Sequence, residues 1–304
     1  MKPNGYLPVA SRPAGSPVRG RGFSLVEILV VVGLLSIIIL GLVAMFSQTQ
    51  RAFRLGLAQV DVLESGRAVT DMMTRELSQM TPSHASNAVN FYASLESVLP
   101  LKQELPGNPT PLRTNLIEEM FFLTKENQTW TGIGYYVAPA SGGVGTLYRY
   151  TSNAVFGQNP AQLSSGYHRT IGDATNRNVF TNLNRIMDGV VHFKLRTYTP
   201  DGQWITTTNQ FATNQFGEVV NANVLEPGSA RYAAGESEFY SFTTNAVPAF
   251  VELELGVLEE RAIVRARTIT DTQSRSNYLA REAGRVHLFR LRVPVRNVDP
   301  TAYR

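Results

Sequence analysis

The sequence predicts an α+β fold, in which a long N-terminal helix packs on the antiparallel β-sheet of a larger head domain. Three observations predict this fold. Residues 28–46 form an unbroken apolar run, apolar residues at helical spacing continue to residue 80, and several segments after residue 116 are rich in β-forming residues or alternate apolar with polar side chains.

The first element is a helix long enough to cross a membrane. Residues 28–46 carry no charge. At about 1.5 Å per residue, residues 23–47 cover the roughly 30 Å of a bilayer core, so we assign them as the transmembrane part. A buried helix of a soluble core is the alternative, but such helices rarely stay apolar on every face over about five turns.

The helix is predicted to continue as an amphipathic segment over residues 48–80. Its apolar stripe consists of Phe53, Leu57, Val60, Leu63, Gly66, Val69, Met73, Leu77 and Met80. Pro82 should end the helix near Met80. The stripe could form a coiled coil, but its glycines and its short length favour packing against the chain's own sheet.

Residues 1–22 read as a leader peptide. They contain four basic residues and no acid, namely Lys2, Arg12, Arg19 and Arg21. A standard secretory signal would end its apolar core with a small-residue cleavage site, and none follows residue 46. Three arginines close before the helix, against Arg51 and Arg54 after it, favour an N-in orientation with the rest of the chain exported.

The junction between leader and helix resembles a known processing site. Gly22-Phe23-Ser24-Leu25-Val26-Glu27 is similar to the N-terminal motif of type IV prepilins and of the pseudopilins of type II secretion. The resemblance implies that prepilin peptidase cuts between Gly22 and Phe23 and methylates the amine of Phe23. It also implies that Glu27 pairs with the free amine of an adjacent subunit during assembly. From the residues alone, Glu27 is either such a functional intramembrane acid or an inert residue that reaches the membrane surface.

Charge and cysteine content narrow the class of protein. The net charge of +4 and the pI near 9.4 would suggest an anionic partner such as nucleic acid. The leader alone accounts for that excess, because residues 23–304 hold 24 basic and 24 acidic residues. We therefore predict no nucleic-acid partner. The chain has no cysteine, which excludes disulfides and cysteine-based metal or redox sites.

The head domain, residues 81–304, is predicted to be β-rich. Residues 81–114 should form a surface loop with a short helix near 93–98. Strands are predicted at 117–123, 129–138, 145–150, 190–198, 249–257 and 286–295. Residues 184–189 read as a helical turn, and Pro200-Asp201-Gly202 should turn the chain into a hairpin with residues 203–207.

Three insertions interrupt this β pattern. Residues 152–178 are loop-rich, and residues 209–245 are polar and rich in Gly, Asn and Ala. Residues 258–283 carry a charge pattern that suits a surface helix as well as a long loop.

The sequence holds no recognisable catalytic or metal motif. His84, His168, His192 and His287 are far apart, and no pair of them has the spacing of metal ligands. The Gly-rich segments 132–134 and 142–145 precede no helix and read as turns. Asp173, Asp188 and Asp201 lack the dense spacing of a calcium loop. We therefore predict no enzyme activity, no cofactor and no metal.

A second resemblance concerns the head and the exported half of the helix. Residues 64–77 resemble the exported half-helix of the larger minor pilins and J-type pseudopilins. The order of residues 135–137 with 147–150, then 191–202 with Trp204, then 248–255 and 289–294, is similar to that of the J/W-type minor pilins. The two resemblances imply a minor subunit of a type II secretion pseudopilus or a type IV pilus, in a hetero-oligomeric filament. They imply four kinds of partner: prepilin peptidase, other pilins or pseudopilins, the inner-membrane platform and its ATPase. Before assembly such a protein is single-pass in the inner membrane. The competing hypothesis is an exported binding domain or enzyme for which the helix is only a signal anchor.

Overall fold

The structure is a computed structural model that describes residues 24–85, 87–95, 101–105, 108–140, 142–154, 158–172, 182–205, 224–225 and 240–303. The leader and the predicted cleavage site, Gly22 and Phe23, lie outside the described residues. The chain divides into two compact units, Met1–Leu55 and Gly56–Arg304.

The N-terminal helix, α1, spans Leu25–Ser78. Ser24 caps its first turn, because its Oγ accepts a hydrogen bond from the N–H of Glu27 at 3.2 Å. In the first unit the helix is apolar and exposed, and it is the one helix among the described residues that is long and apolar enough to cross a membrane. The helix ends as predicted, two residues before Met80.

In the second unit, one face of α1 is buried against the sheet. The buried residues on this face include Val62, Val69, Met73 and Leu77. The predicted stripe is therefore partly wrong at its start: Val60 and Leu63 are 55 % and 48 % exposed, and the covered face begins at Val62. From Val69 onward the stripe packs on the chain's own sheet, which was the favoured alternative.

The head is built on a nine-stranded antiparallel sheet. Its strand order is β11-β10-β7-β6-β5-β4-β1-β9-β8, and β2 pairs with β3 in a separate hairpin. The strands are β1 Val89–Leu95, β2 Lys102–Leu105, β3 Asn108–Thr114, β4 Glu118–Glu126, β5 Thr129–Ala140, β6 Val144–Ala154, β7 Leu183–Tyr198, β8 Val224–Leu225, β9 Tyr240–Thr243, β10 Phe250–Leu258 and β11 Val286–Pro294. All the pairs of strands are antiparallel, as the sequence predicted.

Four local predictions are wrong. The glycines at 132–134 do not form a turn, because they lie inside β5. Residues 81–114 are not a loop with a helix near 93–98, because they contain β1, β2 and β3. Residues 184–189 belong to β7 and not to a helical turn; Gly189, at φ +80°, accompanies an irregular register there. Tyr240–Thr243 is a strand within the segment read as an insertion.

The other two predicted insertions contain helices. Residues 152–178, predicted to be loop-rich, include α2 at Ala161–Gly172, which buries Leu163 and Tyr167 against the face of the sheet opposite α1. Residues 258–283 form α3, Glu260–Thr268, and α4, Thr272–Arg281, so the helical alternative holds there. Most of 209–245 lies outside the described residues.

The predicted hairpin after β7 is only partly formed. The turn at residues 200–202 is present, with the N–H of Gly202 bonded to the carbonyl of Thr199. Its returning arm makes one bridge, between Trp204 and Tyr198, with backbone hydrogen bonds from the N–H of Thr199 to the carbonyl of Gln203 and from the N–H of Ile205 to that of Thr197. Residues 206 and 207 lie outside the described residues.

Candidate functional site

Glu27 is the one predicted site residue that the structure describes. It lies in the first turn of α1 among exposed apolar neighbours, of which Val26 is 69 % and Ile28 is 54 % exposed. Among the described residues no ion pair involves Glu27. A carboxylate in such surroundings calls for a partner when the helix lies in lipid.

The rest of the apolar segment suits a membrane because its polar groups are satisfied within the helix. The hydroxyl of Ser36 donates to the carbonyl of Val32 at 2.8 Å, and that of Ser47 donates to Ala44 at 2.8 Å. Neither hydroxyl therefore needs water or a second helix. Glu27 is the exception, because its backbone N–H is bonded to Ser24 while its side-chain carboxylate has no ion-pair partner among the described residues.

The comparison with known protein families concerns this same stretch of chain. Residues 19–43 match the model of the prokaryotic N-terminal methylation motif. The match confirms the prepilin-type part of the resemblance and supports a type IV pilin-like protein that prepilin peptidase processes. No curated protein and no solved structure matches the chain. The J/W-type subtype stays a prediction.

The pilin-like helix is fixed to its sheet by a polar cluster that the sequence analysis did not identify. Glu76 of α1 accepts hydrogen bonds from the hydroxyl of Tyr135 at 2.6 Å and from Nη2 of Arg149 at 2.7 Å. Burial opposes the charge on Arg149, but the carboxylate of Glu76 outweighs it and raises the pKa of Arg149. Burial, and then Glu76, raise the pKa of Tyr135, so its hydroxyl stays a donor.

A signal for this cluster exists in the sequence. Met73, Glu76, Leu77 and Met80 lie at helical spacings of three and four, which places a carboxylate on the apolar stripe. An acid on a buried face requires a basic or hydroxyl partner on the opposing sheet. The sequence does not show which residues of the head are the partners, which are Tyr135 on β5 and Arg149 on β6.

The C-terminal end of α1 is also attached to the head. The N–H of Arg296 donates to the carbonyl of Ser78 at 3.3 Å, and Nδ2 of Asn297 donates to that of Met80 at 3.1 Å. These residues follow β11, so the segment after the last strand bonds carbonyls at the end of the helix and just beyond it. A groove of about 530 Å³ beside them is lined by residues 81–84, Lys125, Trp130 and residues 297–299.

A second polar cluster lies on the face of the sheet opposite α1. Nδ1 of His192 accepts the N–H of Leu116 at 3.1 Å, so its Nε2 carries the proton and donates to Glu254 at 3.3 Å. Burial lowers the pKa of His192 and keeps it neutral. The bond from His192, together with Arg196, lowers the pKa of Glu254 to about 2.

Tertiary contacts thus bring two histidines to carboxylates that are distant in sequence. His192 meets Glu254, and His287 lies 3.2 Å from Glu259. Within the described ranges no three metal-ligating side chains come together. The carboxylates of β10 join it to both neighbouring strands. Glu252 and Glu254 form ion pairs with Arg196 of β7, and Glu252 also forms one with Arg290 of β11.

Proposed function

We propose that this chain is a minor subunit of a type II secretion pseudopilus or a type IV pilus. In this proposal prepilin peptidase cuts between Gly22 and Phe23 and methylates Phe23. The helix α1 then leaves the membrane and packs among the helices of neighbouring subunits. The observation that carries the proposal is the methylation motif at residues 19–43, placed at the start of an exposed apolar helix.

Arginines before the helix favour an N-in orientation in the inner membrane, so the head is exported. The partners are prepilin peptidase, other pilins or pseudopilins, and the membrane platform with its ATPase. The protein acts as a building block and not as an enzyme. Glu27 pairs with the amine of an adjacent subunit and sets the axial register.

The cleavage site is tested by the mass of the N-terminal peptide. We expect co-expression with a prepilin peptidase to yield a chain that begins with N-methylated Phe23. Gly22→Val should block the cut because the side chain obstructs the scissile position, whereas Gly20→Val, two residues upstream, should be cleaved normally. Recovery of an intact leader from the wild-type chain would contradict the proposal and favour a simple signal anchor.

A further inference from the structure

The strand β11, at one edge of the sheet, has backbone N–H and C=O groups that form no hydrogen bond with any described part of the chain. β11 is the terminal strand of the nine-stranded sheet and is bonded to β10 along its whole length, from Val286 to Pro294. Its other side carries no strand in the described part of the molecule. Such an edge is a template for another strand.

The register of the sheet identifies which groups face outward. On β7 the N–H groups of Phe193 and Leu195 point away from β10, toward Leu116 and Glu118. Phe193 pairs with Leu255 of β10, and Leu255 pairs with Phe289 of β11. Backbone groups alternate in direction along an antiparallel strand, so those of Leu255 point toward β11 and those of Phe289 point back toward β10. The even-numbered residues of β11 therefore point away from β10. Leu288, Arg290 and Arg292 therefore present free N–H and C=O groups at the edge.

Charged side chains often cover an edge, but here they turn inward. Nη2 of Arg290 lies 2.6 Å from Glu252, one strand in from the edge. The guanidinium of Arg292 lies 4.0 Å from the ring centre of Tyr198 and 4.6 Å from that of Phe250. The side chain of Arg290 reaches β10 and that of Arg292 reaches across it to β7, so the backbone at the edge stays open to a partner.

The charge pattern defines what that partner must carry. On the face opposite α1, neighbouring strands alternate in sign: Lys194 and Arg196 on β7, Glu254 and Glu252 on β10, then Arg290 and Arg292 on β11, all in register. A further strand beside β11 would continue the alternation with acids at every second position. On the α1 side it would meet the partly buried Phe289 and Leu291, which favour apolar residues.

We propose that the edge of β11 binds an extended segment of another protein, in which acidic residues alternate with apolar ones. The chain already contains one strand of this kind, since β10 reads Val251-Glu252-Leu253-Glu254-Leu255 and occupies the inner side of β11. A second copy of β11 is disfavoured at this edge because it would bring arginine against arginine. The inference goes beyond the filament proposal and does not depend on cleavage at Gly22.

The test measures binding of a synthetic strand to the full chain in detergent micelles. The probe is a fluorescent peptide that alternates glutamate with valine and leucine, and the control peptide replaces each glutamate by lysine. We expect saturable fluorescence anisotropy with the acidic peptide and none with the basic one. Equal binding of the two peptides would overturn the proposal.

A pair of variants at one position separates strand pairing from simple charge attraction. Leu288→Pro removes an outward N–H without breaking a bond to β10, and Pro294 already occupies an equivalent position. We expect Leu288→Pro to weaken binding at least about tenfold, because it also obstructs the strand. Leu288→Ala keeps the N–H and should change affinity less than about threefold.

Three other outcomes would also overturn the inference. The first is unchanged affinity for Leu288→Pro in a variant whose circular dichroism matches the wild type. The second is self-association of the chain that Leu288→Pro abolishes, which would assign the edge to a second copy. The third is equal competition by anionic phospholipid vesicles or by single-stranded DNA, which would assign the arginines to a general anion surface.

Discussion

Glu27 is a single carboxylate on an otherwise apolar helical surface. Its backbone N–H is satisfied by Ser24, so what remains without a partner in the described chain is the side-chain charge. Insertion of such a charge at the middle of a helix costs about 2.5–3.5 kcal/mol, and less near its end. In the proposed filament, a partner that neutralises the carboxylate recovers that free energy, so we expect the residue to favour assembly.

Replacement of Glu27 should separate insertion from assembly. We expect Glu27→Val to insert into the membrane as well as the wild type, because it removes a charge, and to enter sheared filaments at least about tenfold less. Immunoblots of the membrane and filament fractions measure both quantities. Val26→Ala, in the same turn, should be incorporated normally. Normal incorporation of Glu27→Val would show that the carboxylate plays no pairing role.

His192 and Glu254 show how burial and pairing set charge within the head. His192 is 4 % exposed and neutral, while Glu254 is ionised beside it. Both pKa values lie below those of the unfolded chain. The unfolded state therefore binds more protons in two pH windows, and stability is lost as the pH falls through each of them.

The urea midpoint of the head should fall in two steps as the pH is lowered. The first step begins near pH 6.5, where histidines of the unfolded chain take up protons that the buried His192 does not. The second lies between pH 4.5 and about 2, the pKa values of Glu254 before and after folding. Tryptophan fluorescence during urea unfolding, repeated across the pH range, measures both. His192→Asn should reduce the first step. Glu254→Gln should remove part of the second and enlarge the first, because Glu254 raises the pKa of His192 against the effect of burial.

At the scale of elements, sequence periodicity predicted what is long and regular. α1 follows from apolar spacing, β4, β5 and β6 follow from their content of β-forming residues, and β10 and β11 follow from alternation of apolar and polar residues. β1 was missed although Val89, Phe91, Ala93 and Leu95 alternate, because Pro, Ser and Asn surround it. α2 contains Gly and Ser and has low helix propensity, so its stability depends on burial of Leu163 and Tyr167 against strands that no local pattern reveals.

Two helical glycines should respond in opposite directions to the same substitution. A Cβ on Gly66 would overlap the ring of Phe289 on β11, whereas a Cβ on Gly56 would meet nothing within 4 Å. We expect Gly66→Ala to lower the free energy of unfolding by about 1–3 kcal/mol through overpacking between α1 and the sheet. Gly56→Ala should raise it by about 0.5–1 kcal/mol through helix propensity.

Urea unfolding of the two variants in one detergent compares them directly. Equal stabilisation by both substitutions would show that Phe289 moves aside at no cost. The contact between α1 and β11 would then not depend on a glycine at position 66.

At the scale of the whole molecule, the charge of the chain changes when the leader is removed. The full chain has a pI near 9.4, and its excess of four positive charges lies within residues 1–22. We expect the processed chain to focus near pH 7, because its basic and acidic residues are equal in number. Isoelectric focusing in detergent measures the shift, and Gly22→Val should stay at the basic position. A processed chain that still focuses near the basic position would contradict this charge distribution.

The pairing of β1 with β9 imposes an order on the maturation of the head. Asn90 donates to the carbonyls of Thr244 and Ala246, 154 and 156 residues further along the chain. The β4–β5–β6 meander can form from neighbouring sequence, but β1 has no second neighbour until residue 240 has been synthesised. A nascent chain that ends before residue 240 therefore leaves one edge of β1 without its neighbour, and such unpaired edges are prone to misassembly. The central part of the sheet is complete only when residues 240–243 have been made.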